Sequence, residues 1–113
     1  MKIYGIKTCD SVKKALKFMK DNHLEYEFID LKKTPVDEHI ITSWLHHITI
    51  DTLFNKRGTT YRTLKLKELS LNVEEQKNWL IKENLLIKRP VIEYQHQVIV
   101  GYDEEQYKTL FLV

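Results

Sequence analysis

The chain is poor in the residues that staple or punctuate a polypeptide: 113 residues hold one cysteine, two prolines and three glycines. So little Gly and Pro excludes collagen-like and linker-rich disordered classes. No apolar run approaches the ~20 residues of a membrane-spanning helix. The opening Met1-Lys2-Ile3-Tyr4-Gly5-Ile6 reads as a strand rather than as the apolar core of a secretory leader, so the expected location is cytoplasmic, with no membrane partner. A lone Cys9 excludes an internal disulfide, a CxxC redox pair and a zinc site built from several cysteines. His23, His39, His46, His47 and His96 show no HExxH spacing, and no metal site is expected. The 18 basic and 16 acidic residues leave a net charge of +2, too small to argue for direct nucleic-acid binding.

What is present is a chain 42% apolar, enough to bury a core, in one domain over residues 1–113. Its charge is unevenly spread. Lys2, Lys7, Lys13, Lys14, Lys17 and Lys20 face only Asp10, whereas Asp21, Glu25, Glu27, Asp30, Asp37 and Glu38 then outweigh Lys32 and Lys33. Cys9 therefore lies in a basic segment.

Residues 2–6 predict a strand and Lys7-Thr8-Cys9-Asp10 a turn. Val12, Ala15, Leu16 and Met19 then recur at helical spacing from about Ser11 to Asp21. Asn22-His23 ends that helix. Leu24, Tyr26 and Phe28 alternate with polar neighbours as a second strand would, and a right-handed crossover makes it parallel to the first. Thr34-Pro35-Val36-Asp37 predicts a helix start, with Thr34 as N-cap, Pro35 in the first turn and an apolar stripe of Ile40, Ile41, Trp44, Leu45 and Ile48. A short helical piece near Asp51–Phe54 leads to an exposed loop over Asn55–Thr60. Asn72 and Glu75 open a further helix carrying Val73, Trp79 and Leu80. Val91–Tyr94 and Gln97–Val100 form a hairpin around Gln95-His96, and Asp103 with Gln106 caps a last helix containing Tyr107, Leu110 and Phe111. The order is βαβ, a helical insertion over about 35–85, then ββα. One arrangement with this order is the thioredoxin-like fold, a mixed four-stranded sheet with a helical insertion between its halves.

Many lone cysteines are simply small buried hydrophobes. At a strand-to-helix turn, however, unpaired backbone amides and the helix dipole favour an anion, and Lys7, Lys13 and Lys14 add positive charge. Because the thiolate is the nucleophilic form, Cys9 becomes the candidate reaction centre. Pro90 follows Arg89 just before a strand, where an ordinary trans bond is the commoner outcome. Arg57, Arg62 and Arg89 are the arginines of a lysine-rich chain, and arginine suits bidentate capture of carboxylate, phosphate or a similar oxyanion.

Three stretches, Tyr4-Gly5-Ile6-Lys7-Thr8-Cys9-Asp10-Ser11-Val12-Lys13-Lys14-Ala15, Asn55-Lys56-Arg57-Gly58-Thr59-Thr60-Tyr61-Arg62, and Ile87-Lys88-Arg89-Pro90 with Val100-Gly101-Tyr102, together resemble the ArsC/Spx/YffB family. The likeness spans nearly the whole chain and is nearest to the YffB-like branch. It implies a thioredoxin-like fold with an inserted helical bundle, a nucleophilic Cys9 and a cis bond at Pro90. Arsenate reductases of the family use three arginines near the cysteine loop. Arg89 matches one, Asn55 stands in place of another with Arg57 two residues on, and Gly101 stands in place of the third. Spx-type regulators, which bind the RNA polymerase α subunit, carry a CxxC switch, and here its second position is Val12. The branch implies a glutathione-dependent thiol reductase with no bound cofactor. Glutathione or another external thiol would be its partner and a disulfide or oxyanion its substrate. In that role Cys9 attacks, Lys7 steadies the thiolate, Thr8 and Ser11 donate hydrogen bonds, Arg57 and Arg89 hold ligand anions, and Pro90 presents backbone.

Overall fold

The computed structural model describes residues 1–112. Its elements are β1 (Lys2–Gly5), α1 (Asp10–Asp21), β2 (Glu27–Asp30), α2 (Glu38–Leu45), α3 (Ile50–Leu53), α4 (Thr59–Thr63), α5 (Val73–Lys82), β3 (Val91–Tyr94), β4 (Gln97–Val100) and α6 (Glu104–Phe111). Short 3-10 turns lie at Leu66–Leu69 and Asn84–Leu86. The chain divides into two units, Met1–Asp30 with the chain from Arg89 onward, and Leu31–Lys88.

In the first unit the strands run in the order β2-β1-β3-β4, with β1 parallel to β2 and antiparallel to β3, and β3 antiparallel to β4. The fold is thioredoxin-like. Register explains the core: Ile3 pairs with Phe28 and Ile92, and Ile92 with Ile99, so one apolar row crosses all four strands. Ala15, Phe18 and Met19 of α1 and Tyr107 and Phe111 of α6 pack on that row. Phe18 meets Tyr107 edge-on, with ring centroids 5.5 Å apart. The second strand starts later than the alternation of residues 24–28 suggests. Leu24 and Tyr26 precede it, half-buried against the core. Gln95 and His96 both adopt positive φ, 45° and 62°, the backbone of a type I′ hairpin, without the usual Asn-Gly.

In the second unit the helix expected at Pro35 begins three residues later. Asp37 is its N-cap and accepts from the Ile40 amide at 3.1 Å. The cause is tertiary. Asn84, buried, accepts from the Val36 amide at 2.7 Å and donates to the Val36 carbonyl at 3.3 Å and the Leu80 carbonyl at 3.0 Å. Those bonds hold Val36 out of helical conformation. Ile41 and Trp44 of α2 are fully buried, and Ile40, Leu45 and Ile48 are half-buried. At α5 the capping box of Asn72 and Glu75 is complete, but Val73 is 64% exposed rather than part of the core. Thr59 and Thr60, expected in a loop, begin α4. Among the described residues, no helix is long and apolar enough to cross a membrane.

Candidate functional site

β1 delivers the chain to a tight turn in which the Cys9 amide donates to the Ile6 carbonyl at 3.3 Å. Cys9 itself is the N-cap of α1, in extended conformation, and its carbonyl accepts from the Lys13 amide at 3.0 Å. No side chain caps this helix. Asp10 lies exposed in the first turn instead of serving as cap. Cys9 is half-buried, as is Ser11, whereas Lys7, Thr8, Lys13 and Lys14 are exposed. The close seating of α1 on β1 requires Gly5: a Cβ there would lie 2.6 Å from Cγ2 of the fully buried Val12.

Because Tyr4 pairs with Val91, the start of β3 lies at the same sheet end as the Cys9 turn. Arg89-Pro90 therefore belongs to that end, and the bond between them is cis, as the family resemblance implied and the composition-based reading did not. The Pro90 carbonyl accepts from the Gly101 amide at 2.8 Å. Gly101 has φ of 84°, a backbone state that an arginine at this position would hold only under strain. Its carbonyl accepts from the Tyr107 hydroxyl. Burial, with Tyr102 and Asp103 nearby, pushes the Tyr107 hydroxyl well above the usual tyrosine range, so it stays a donor. Arg89 is half-buried, and its Nε is buried with no hydrogen-bond partner. A buried unsatisfied donor of this kind is costly unless something accepts from it.

Lys7, Thr8, Cys9, Ser11, Arg89 and Pro90 thus gather at one end of the first unit's sheet. Arg57 belongs to the second unit, exposed on a loop whose motif residues bind one another. Asn55 Oδ1 accepts from the Arg57 amide at 3.1 Å, and Arg62 donates from Nη1 to the Arg57 carbonyl at 3.2 Å. A Cβ on Gly58 would meet Asn55 Nδ2 at 2.7 Å. The Asn-x-Arg-Gly pattern is therefore a loop-building device in which Arg62 acts structurally. Sequence reasoning overlooked the Tyr107 hydroxyl. The only available signal was a tyrosine on the core stripe of α6, and it reads as packing. Among the described residues, no three His, Cys, Asp or Glu side chains cluster where a metal ion could sit.

A cysteine-bearing turn at the end of a thioredoxin-like sheet, at the same sheet end as a cis-proline, defines the class. The model of the ArsC family matches residues 4–110, and the chain belongs to that family. An uncharacterized protein of Haemophilus influenzae is 36% identical over 110 residues, covering 96% of both chains. Among solved structures, the YffB protein superposes with a TM-score of 0.88 at 29% identity over 96% of each chain. An arsenate reductase-related protein of Brucella melitensis superposes with a TM-score of 0.76 at 31% identity, over 99% of this chain and 94% of that one. The protein is therefore arsenate reductase-related.

Proposed function

We propose that the protein is a thiol-dependent oxidoreductase that uses Cys9 as nucleophile and glutathione as its external thiol. The observation that carries this reading is Cys9 at the open N-cap of α1, at the sheet end that also holds cis-Pro90 and the unpartnered Nε of Arg89. A thiolate at an N-cap stands where a capping oxygen would accept first-turn amides, and the helix dipole favours its charge. Lys7 adds a nearby cation, while Thr8 and Ser11 supply hydroxyls beside the sulfur's turn. Arg89 offers Nε–H to a carboxylate of the incoming thiol or to an oxyanion, and Pro90 supports an extended ligand backbone.

The chemistry is disulfide exchange in two steps. Cys9 thiolate attacks one sulfur of a substrate disulfide, forming a mixed disulfide as the substrate S–S bond breaks and a thiolate leaves. A glutathione thiolate then attacks the sulfur held by Cys9, and Cys9 thiolate is the leaving group. When the first step captures a glutathionyl group, one substrate thiol and one glutathione disulfide result. With no second cysteine in the chain, the resolving thiol is necessarily external. The Gly101 backbone and the displaced Arg57 count against arsenate as preferred substrate, and Val12 counts against an Spx-type switch.

The test is incubation with glutathione disulfide followed by intact-mass measurement, alongside turnover of a glutathionylated thiol substrate. One glutathione adduct per chain is expected, with adduct and turnover both lost in Cys9→Ser. Absence of adduct and turnover in the unaltered chain refutes the proposal. Arsenate-dependent turnover, or capture of the RNA polymerase α subunit without thiol turnover, would redirect it.

A further inference from the structure

The thiol chemistry makes no use of the outer edge of the first unit's sheet. β4 ends the strand order β2-β1-β3-β4, so it is paired on one side only. Which of its backbone groups face outward follows from the hairpin. The two-residue turn at Gln95-His96 makes Tyr94 and Gln97 a hydrogen-bonded pair, and bonded and non-bonded pairs alternate along an antiparallel ladder. Ile99 with Ile92 is the next bonded pair, and the Gly101 amide, donating to the Pro90 carbonyl at 2.8 Å, keeps the same parity. The amides and carbonyls of Val98 and Val100 therefore turn away from β3, toward the open edge.

Natural sheets guard an open edge with charge, proline or a bulge. β2, at the opposite edge, carries Glu27 and Asp30, a carboxylate at each end of the strand. β4 has none of these devices. Its register with β3 is continuous, and residues 94–102 contain no Asp, Glu, Lys, Arg or Pro. Val98 and Val100 are only half-buried, so apolar surface accompanies the outward backbone groups. The edge is also self-complementary. A second copy laid antiparallel about a twofold axis at Ile99 sets Val98 opposite the partner's Val100 and Ile99 opposite the partner's Ile99. Each Val98–Val100 pair then exchanges both of its backbone hydrogen bonds, and the core-facing side of one sheet continues as the core-facing side of the other. No like charges meet within this register, so nothing electrostatic opposes the pairing.

We propose that β4 is a self-association edge, through which two copies of the chain pair antiparallel at Val98–Val100 to form one continuous sheet. The strands that end this joined sheet are the two copies of β2, guarded by Glu27 and Asp30, so assembly closes at the dimer. A contact built on four-residue strands falls well below the ~1,200 Å² of stable complexes, so the dissociation constant belongs in the range of about 0.1–1 mM.

The experiment uses the full chain carrying Cys9→Ser, so that no intermolecular disulfide contributes. Sedimentation and amide spectra of ¹⁵N-labelled protein are followed together as concentration rises through the millimolar range. The mass should climb from one chain toward two and no further. Over the same range the Val98 and Val100 amides should shift and gain protection from exchange, while the Gln97 and Ile99 amides, already bonded to β3, hold steady. Val98→Pro removes an outward donor without removing a bond to β3, and should weaken association about ten-fold or more. Val98→Lys places a charge on the edge and is tolerated within the single chain because Glu93 is its cross-strand neighbour; it should weaken association similarly. Each variant is checked for a retained spectrum away from β3 and β4, and either one that folds suffices. A chain that stays monomeric throughout, concentration-dependent shifts that map elsewhere, growth beyond the dimer, or undiminished association of a folded variant overturns the proposal. Because Cys9 is absent, failure here leaves the thiol-reductase test untouched, and the reverse holds.

Discussion

Gly5→Ala probes the contact that seats the Cys9-bearing helix. The added Cβ would stand 2.6 Å from Val12 Cγ2 and 3.2 Å from Cγ1. Unstrained carbon contacts begin near 3.5 Å, so the nearer pair is short by about 0.9 Å. Val12 cannot swing away: it is fully buried, and a β-branched residue in a helix holds one strongly preferred rotamer. The first turn of α1 must therefore move, at an overpacking cost of about 1–3 kcal/mol. Alanine recovers about 0.5–1 kcal/mol of backbone entropy relative to glycine in a strand, leaving a net destabilisation of roughly 0.5–2 kcal/mol. Val12→Ala alone removes two buried methyl groups and should cost about 2 kcal/mol. In the double variant the new methyl occupies the vacated space. The two changes should then couple favourably by about 1 kcal/mol or more. Urea unfolding of the four proteins with a common m-value measures this cycle. Additivity within about 0.5 kcal/mol, or a Gly5→Ala protein as stable as the unaltered chain, would refute the argument that this contact sets the helix position.

Tyr107→Phe should cost about 1–2 kcal/mol in urea unfolding by leaving the Gly101 carbonyl without its hydroxyl donor. Tyr4, buried and bonded to Glu93 at 3.1 Å, and Tyr107 both have hydroxyl pKa values raised above the ordinary 10.0, chiefly by burial. The folded chain therefore keeps protons that the unfolded chain loses, so their contribution is complete below pH 10 and falls as pH rises beyond it. Tyr107→Phe should make stability measured above pH 10 less steeply pH-dependent, and an unchanged slope would contradict this. Asn84→Ala leaves the Val36 amide and carbonyl unsatisfied and should lose about 2–4 kcal/mol, with a lowered melting midpoint as the readout. Gly58→Ala should dislodge the Asn55 side chain from the Arg57 amide and cost about 1 kcal/mol, a loss largely absent when Asn55→Ala is already present, as a double-mutant cycle would show.

Local pattern made much of the fold legible. Helical spacing of Val12, Ala15 and Met19, the Asn72–Glu75 capping box and the Asp103 cap of α6 all depend on residues within a few positions of one another. Their signals survive in a one-dimensional string. α2 starts later than Thr34-Pro35 predicts because Asn84, 48 residues away, bonds both the amide and the carbonyl of Val36, so a distant side chain overrides the local signal. Val73 stays exposed on α5, since periodicity reports which positions share a helix face and not whether anything covers that face. The thioredoxin-like order of elements likewise needed the register to show that the Cys9 turn and Arg89-Pro90 share one sheet end.

The sequence by itself determined that any redox cycle must borrow its second thiol, because a chain with one cysteine has no internal partner. It also determined that Cys9 lies in a basic strand-to-helix turn, since strand, turn and helix there are adjacent in the chain. Tertiary structure alone decided what surrounds that sulfur and what does not. The orphaned Nε of Arg89 and the placing of cis-Pro90 at the sheet end of the Cys9 turn both arise from pairings across long stretches of chain. Such pairings depend on strand register and burial, and no local residue pattern encodes them.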